Sequence, residues 1–399
     1  MEALLVLIAL TAIFGVLIGP ALRRRRLRRD RPPGLAGAAH AGGGYGFVPA
    51  EHLDVRLPGP DPEFIEAVEE TQRTQDWQPV ARLLALTGDE WELRWQRVQS
   101  LAGAAAMELA QARALGTPDA SPRPYGPGEA PSGTGGAEGA VSFRKEPGLR
   151  DASWLREWRT EQPGDPGGAQ VYAQFLVWQA LSDTASADHR IILEEARAIC
   201  QEAARLAPDD PTPHITELFI GRHLSYRRPD FEELWETVRR HAPHHMGAHL
   251  AALPYWSEQG SGSRADADAF AQAAAAQAPE GTLLPALPLF AVYEHLPEVN
   301  MVRGLYQSAE IEKAIEAAEY AVDQVEADHP VRPHVLHMLL CFLVRAERYD
   351  EAMEALRVVD GYIGALPWAG SGDPAAQYTA YRALAVAGWE STGGAPAQL

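Results

Sequence analysis

The fold is decided by residues 191–208, which read IILEEARAICQEAARLAP and begin a pattern that restarts twice. Apolar and small residues recur along this stretch at the spacing of one helix face. Similar tripeptides ending in proline close two later helical runs, at 241–243 and 277–279, so the closing prolines are 35 and 36 residues apart. A period of about 34 residues is typical of stacked helix–turn–helix units. We therefore predict consecutive helix pairs from Ile191 to Tyr362.

The placement of small residues in the first unit gives this pattern a family resemblance. Ala203 and Ala196 stand five and twelve residues before Pro208. This arrangement resembles the second helix of a tetratricopeptide repeat, in which small residues let neighbouring helices approach closely. The resemblance implies an all-α fold, a degenerate α-solenoid of helix pairs, and a role in binding other proteins.

The unit that ends at Pro279 keeps the small residues as Ala267 and Ala274, but the other later units depart from the pattern of the first. Phe231 and Val238 replace the small residues of the second unit, so we expect its helices to pack more loosely or in a shifted register. The segment Arg348–Ala352 resembles the turn and second-helix start of a last unit. Before that unit, residues 310–325 form an extra predicted helix that a plain array does not contain.

Stacked helix pairs leave a concave surface that is lined mainly by the first helix of each pair. Aromatic and arginine side chains in such a groove are the usual anchors for a bound protein segment. Alternatively, Tyr255 and Trp256 pack against a neighbouring helix as core residues. If the register of the family holds, the predicted binding surface includes Glu217, His245, Tyr255, Trp256, His334, His337 and Arg345.

The first residues of the chain have the pattern of a membrane anchor. Residues 3–18 are apolar except for Thr11, and the tract extends to Leu22, long enough for a helix to cross a bilayer. A cleaved signal peptide is the competing interpretation, but no basic residue precedes the apolar tract. Clustered arginines stay on the cytoplasmic side, which predicts a single-pass inner-membrane protein with its body in the cytoplasm. The arginines that set this topology are Arg23, Arg24, Arg25, Arg26, Arg28 and Arg29.

Composition restricts the partners and the compartment. The formal net charge is −19, although residues 23–31 contain seven arginines and one aspartate. A body this acidic repels phosphate backbones, so we expect no nucleic-acid partner. The two cysteines, Cys200 and Cys341, lie in helical patterns and are predicted to be buried thiols in a reducing compartment. The preference for Arg over Lys, with abundant Ala, Gly and Pro, indicates a GC-rich, actinobacterial-looking genome.

No stretch alternates like a β-strand, and the chain divides by composition into helical and Gly/Pro-rich parts. The Gly-rich run 42–46 lacks the Lys-Ser/Thr of a phosphate loop, so residues 30–60 are predicted to be a flexible tether. The predicted divisions are an anchor at 1–22, a basic segment and linker at 23–60, a helical segment at 61–115, a disordered insertion at 116–148, the repeat domain at 149–390 and a disordered tail at 391–399.

Four histidines, His241, His244, His245 and His249, crowd into nine residues. His245 and His249 are spaced to share one helix face and hold a metal ion. However, no third ligand lies at a sequence spacing that is typical of a metal site. No nucleophile elbow, Walker loop or dinucleotide fingerprint is present. We therefore predict a protein-interaction scaffold with no catalytic residue, metal or cofactor. The alternatives are a metal-dependent hydrolase that uses this cluster, and assembly by self-association.

Overall fold

The computed structural model describes residues 45–116, 151–297 and 304–394, and this part of the chain is all-helical. Its single β-type contact is an isolated bridge between Asp54 and Tyr362. The predicted anchor with its arginines, and nearly all of the predicted insertion, lie outside the described residues. Within the described ranges, no helix combines the length and the apolar character that crossing a bilayer requires.

The described residues form fifteen α-helices, numbered here in chain order. They are α1 Pro62–Thr74, α2 Gln78–Thr87, α3 Trp91–Gly116, α4 Ser153–Glu161, α5 Pro166–Ser182, α6 His189–Leu206, α7 Thr212–His223, α8 Arg228–His241, α9 Met246–Trp256, α10 Arg264–Ala276, α11 Leu287–Glu294, α12 Ala309–Gln324, α13 Arg332–Arg345, α14 Tyr349–Val359 and α15 Pro374–Ser391.

Helices α5 to α14 form five consecutive pairs in which the two members contact one another. The first members α5, α7, α9 and α11 also contact each other in order, and we call these four helices the first-helix row. Helix α12, which the sequence predicted as an extra element, contacts both α11 and α13. The spacing of apolar residues does not indicate α11, because this helix is only eight residues long.

Helix α6 illustrates how the sequence pattern produces this packing. Leu193, Ala196, Cys200 and Ala203 form one fully buried stripe at helical spacing, and the helix ends before Pro208. The prediction that small residues mark the contact face is confirmed here. Both cysteines of the chain are free and buried, as expected.

The second predicted unit is not loosely packed. Phe231 and Val238 of α8 are both fully buried. The Phe231 ring lies face to face with Tyr255 of α9, with 3.6 Å between ring centroids and 3° between planes. An aromatic stack therefore takes the place of the small-residue contact, and the expectation of looser packing is wrong.

Residues 45–60 are packed rather than forming the end of a flexible tether, which corrects the predicted 23–60 linker for this part. The Val48 amide donates to Asp360 Oδ2 at 2.6 Å, and the Gly364 amide donates to the Leu57 carbonyl at 2.8 Å. Leu57 is buried, and a Cβ on Gly364 would lie 2.6 Å from the Leu57 backbone. Backbone pairing and burial of Leu57 thus fasten this segment to the turn that precedes α15.

The segment predicted to be helical at 61–115 contains α1, α2 and α3. Asp61 caps α1 by accepting the Phe64 amide at 3.0 Å, and Pro62 occupies the first turn. Helix α3 contacts α5, α7 and α9, and so lies across three members of the first-helix row. This placement determines which of the predicted binding residues a partner could reach.

Candidate functional site

The surface predicted to bind a partner is occupied in part by helix α3 of the same chain. Trp95 of α3 is buried, with its ring centroid 5.9 Å from the rings of both His245 and His334. Gly247 in the first turn of α9 makes room for it, because a Cβ there would lie 2.6 Å from the indole. Trp95 thus anchors α3 against α9 and α13.

A buried ion pair fixes α3 to the start of α7. Arg94 Nε donates to Asp210 Oδ2 at 2.6 Å, and its Nη1 donates to the Leu84 carbonyl at 2.8 Å. Gln170 of α5 donates to the same Asp210 oxygen at 2.6 Å, while Asp210 Oδ1 accepts the Thr212 amide at 2.8 Å. One carboxylate therefore ties together α3, α5 and α7 with its hydrogen-bonding capacity largely satisfied.

Further polar contacts extend along the same helix. Arg97 donates to both carboxylate oxygens of Asp61, at 2.8 and 3.0 Å, and so links α3 to the cap of α1. Gln99 Nε2 donates to Gln174 Oε1 at 2.8 Å, and Thr216 Oγ1 donates to the same oxygen at 3.1 Å. Helix α3 is thus held by a chain of specific polar contacts as well as by apolar burial.

Glu92 of α3 binds the amino-terminal end of α9. It accepts hydrogen bonds from the Met246 amide and from His329 Nε2, the latter at 3.0 Å. Burial favours the neutral carboxyl, but the hydrogen bonds from His329 and from the Met246 amide outweigh it and lower the pKa of Glu92. The carboxylate therefore stays ionised against the helix end, where a negative charge is stabilised.

His245 is neutral and structural. Its Nδ1 accepts the Ala248 amide at 3.1 Å as the cap of α9, which leaves the proton on Nε2 to donate to the Trp91 carbonyl at 3.2 Å. Burial lowers its pKa, in agreement with this tautomer. The 3.6 Å separation between His245 Nδ1 and Glu92 Oε1 joins two acceptors and is not an ion pair.

The histidines of the alternative metal-site interpretation make separate contacts within the chain. His241 Nδ1 donates to the Thr237 carbonyl at 2.8 Å, and His249 Nδ1 donates to the His245 carbonyl at 3.0 Å. Both nitrogens of His245 are already engaged, so metal binding there would break the α9 cap. Across the described ranges, no group of three or more His, Cys, Asp or Glu side chains is placed to hold a metal ion.

Tyr255 and Trp256 are core residues, exposed by 1% and 7% respectively. The Tyr255 hydroxyl donates to the Tyr226 carbonyl at 2.9 Å, and the Trp256 ring stacks against Phe270. This arrangement matches the alternative interpretation of the pair, in which both side chains pack against neighbouring helices.

His334 and His337 are also committed to contacts within the chain. His334 Nε2 donates to Gln96 Oε1 of α3 at 2.7 Å. His337 Nε2 donates to the Pro58 carbonyl at 2.9 Å, and its Nδ1 accepts the Trp368 indole N–H at 2.9 Å. Burial lowers the pKa of His334 to about 4 and that of His337 to about 3. Both rings are therefore neutral at physiological pH.

The remaining predicted residues, Glu217 and Arg345, reach solvent. Glu217 is half-buried and accepts from the Tyr226 hydroxyl at 3.1 Å. Arg345 is exposed and donates to two phenol oxygens, those of Tyr381 and of Tyr306, the latter at 2.8 Å. Among the described residues no carboxylate pairs with Arg345, so its positive charge is available to a partner.

Arg348, which directly precedes α14, differs from Arg345 in its charged neighbours. It binds Glu319 at 3.0 Å and Glu351 at 2.9 Å, so two carboxylates offset its charge. The difference is one of environment rather than of residue type, because both are arginines on adjoining helix ends.

Sequence reasoning missed the residues that hold α3, above all Arg94, Asp210 and Glu92. The sequence of α3 does contain an indication of this. Polar and apolar side chains are mixed all around the helix, so no single face is purely polar and suited to solvent. Such a pattern in a long helix indicates burial against several neighbours. The partners themselves lie more than one hundred residues away, as the separation of 116 between Arg94 and Asp210 illustrates.

No protein-family model, no curated protein and no solved structure matches this chain. Its function must therefore be inferred from the geometry of the described residues.

Proposed function

We propose that this chain is a membrane-anchored, tetratricopeptide-like helical-repeat scaffold that binds another protein. The observation that carries the proposal is the way in which the first-helix row already binds α3, with Trp95 as an aromatic anchor and Arg94 in a buried ion pair. A helix laid across a row of helices is a common mode of protein recognition. The five consecutive helix pairs support the repeat interpretation.

Arg345 is the residue through which we expect the partner to bind. It is exposed, and its guanidinium is oriented by two tyrosine hydroxyls without being neutralised by any described carboxylate. An oriented arginine of this kind is a frequent anchor at protein interfaces. A partner that offers an acidic side chain would complete the contact with a charge-assisted hydrogen bond.

The test compares two arginine variants in the full-length tagged chain, purified from its native membrane in mild detergent. Arg345→Gln should abolish co-purification of a stoichiometric partner, whereas Arg348→Gln should retain it because that arginine is already paired. Equal recovery from both variants would contradict the proposed surface. If the retained partner is a second copy of the chain, self-association replaces the scaffold proposal.

The membrane part of the proposal rests on the sequence alone, on the apolar tract 3–22 and the arginines that follow it. Alkaline phosphatase fused after Leu399 should be inactive, and a fluorescent protein fused there should fluoresce. Replacing the six predicted topology arginines by alanine should weaken this orientation. An active phosphatase on the unaltered chain would place the body outside the cytoplasm and refute the predicted topology.

A further inference from the structure

A pocket of about 500 Å³ lies between α8 and α10. Three aromatic rings line it, with Trp235 and His249 at a centroid distance of 4.9 Å and Phe270 5.2 Å from Trp235. The volume falls in the range of small-molecule sites, and ring edges and faces suit a planar ligand.

His249 supplies this pocket with a hydrogen-bond acceptor. The side chain is only 4% exposed, and its Nδ1–H donates to the His245 carbonyl at 3.0 Å, which places the lone pair on Nε2. Burial lowers the pKa of His249 to about 4, so the ring is neutral at physiological pH. Among the described residues nothing donates to this Nε2. A ligand with an O–H or N–H group would satisfy it.

The charged side chains of the pocket are one glutamate and two arginines, with His244 beside them. Arg239 pairs with Glu236 at 2.8 Å, whereas Arg240 is exposed and has no carboxylate partner in the described part of the chain. The pocket is therefore locally positive in a protein with a net charge of −19. Arg240 is positioned to bind an anion.

We propose that the pocket between α8 and α10 binds a small planar aromatic carboxylate that carries a hydrogen-bond donor. The aromatic ring packs against Trp235 and Phe270, the carboxylate binds Arg240, and the donor binds His249 Nε2. This site is separate from the surface around Arg345, so it adds a small-molecule ligand to the proposed scaffold.

Calorimetric titration of the full-length protein with benzoate and its 2-, 3- and 4-hydroxy derivatives tests the proposal without any substitution. The three isomers place the hydroxyl at different distances from the carboxylate. One of them should bind about three- to tenfold more tightly than benzoate, the gain expected from one added hydrogen bond. If no acid binds up to about 10 mM, or all four bind equally, the proposal fails.

Two arginine variants test the anion contact. Arg240 lies in the last turn of α8, three residues before Pro243, and Arg205 lies in the last turn of α6, three residues before Pro208. Both interact with a helix end, but only Arg240 lines the pocket. Arg240→Gln should weaken binding of every acid about tenfold or more, whereas Arg205→Gln should leave it unchanged. Equal affinities in the two variants would overturn the assignment.

His249→Phe keeps an aromatic ring in the wall but removes the acceptor. Benzoate should bind this variant as before, and the advantage of the best hydroxybenzoate should disappear. A retained advantage would exclude His249 as the acceptor. If circular dichroism shows that this variant does not fold, the ligand series and the Arg240→Gln comparison still decide the outcome.

Discussion

Removing the charge of Asp210 should strongly destabilise the docking of α3. In Asp210→Asn the side-chain oxygen that accepts the Thr212 amide is kept, but Arg94 loses its counter-charge. The two side chains are only 3% and 9% exposed, so water cannot replace the lost partner. Leaving one member of a buried pair alone costs about 3–5 kcal/mol, and we expect a loss of this size.

A double-mutant cycle distinguishes the interaction energy of Arg94 and Asp210 from the other effects of each substitution. Arg94→Met alone should cost a similar amount, because it strands the Asp210 carboxylate. The combination Arg94→Met/Asp210→Asn removes both charges and should cost less than the sum of the single changes, with a coupling energy of about 2–3 kcal/mol. Urea unfolding followed by circular dichroism and tryptophan fluorescence gives the three free energies.

The matched control is the ion pair between Arg239 and Glu236 on α8. The distance from Arg239 Nη2 to Glu236 Oε2 is 2.8 Å, but the two side chains are 49% and 56% exposed. Removing either charge there should cost less than about 1 kcal/mol. If Asp210→Asn costs no more than this control, or if the cycle is additive within about 0.5 kcal/mol, the ion pair does not hold α3 in place.

Two further predictions concern packing and pH. Gly247→Ala should lower the free energy of unfolding in urea by about 1–3 kcal/mol, because the new Cβ would lie 2.6 Å from Trp95. The control Gly103→Ala in α3 meets nothing within 4 Å and should raise this free energy by about 0.5–1 kcal/mol. Equal effects of the two substitutions would contradict the close contact. The lowered pKa values of His249 and His337 contribute stability that is complete above the unfolded value of about 6.5 and is lost as pH falls toward their folded values of about 4 and about 3. The unfolding free energy should therefore fall by about 2 kcal/mol per histidine between about pH 7.5 and about pH 5, and an unchanged value would refute neutral burial.

The local part of the fold was readable from the sequence because it depends on spacing within one helix. The stripe that contains Ala196 and Ala203 predicts the buried face of α6, and the boundary before Pro208 follows from the proline. The sequence pattern does not indicate α11, because eight residues are too few to establish a helical period. Its absence from the prediction made α12 look like an extra helix.

The site could be predicted only in part, because its contacts join distant segments. The sequence placed His334 and His337 on a first helix, and both lie on α13, but nothing local indicated that Gln96 and Pro58 would cover them. Arg345 was named for its position on the same helix and remains exposed. Its proposed role depends on the lack of a carboxylate partner among the described residues, which spacing does not encode.

The packed segment 45–60 has a consequence for the order in which the protein is made. Val48 is bonded to Asp360 and accepts from Arg382 Nη1 at 2.7 Å, across separations of 312 and 334 residues. Domains form as the chain leaves the ribosome, starting from the amino-terminal end. The hydrogen bond between Val48 and Arg382 can form only after Arg382 has been synthesised. Although segment 45–60 is synthesised early, it is therefore among the last parts of the chain to pack into the fold.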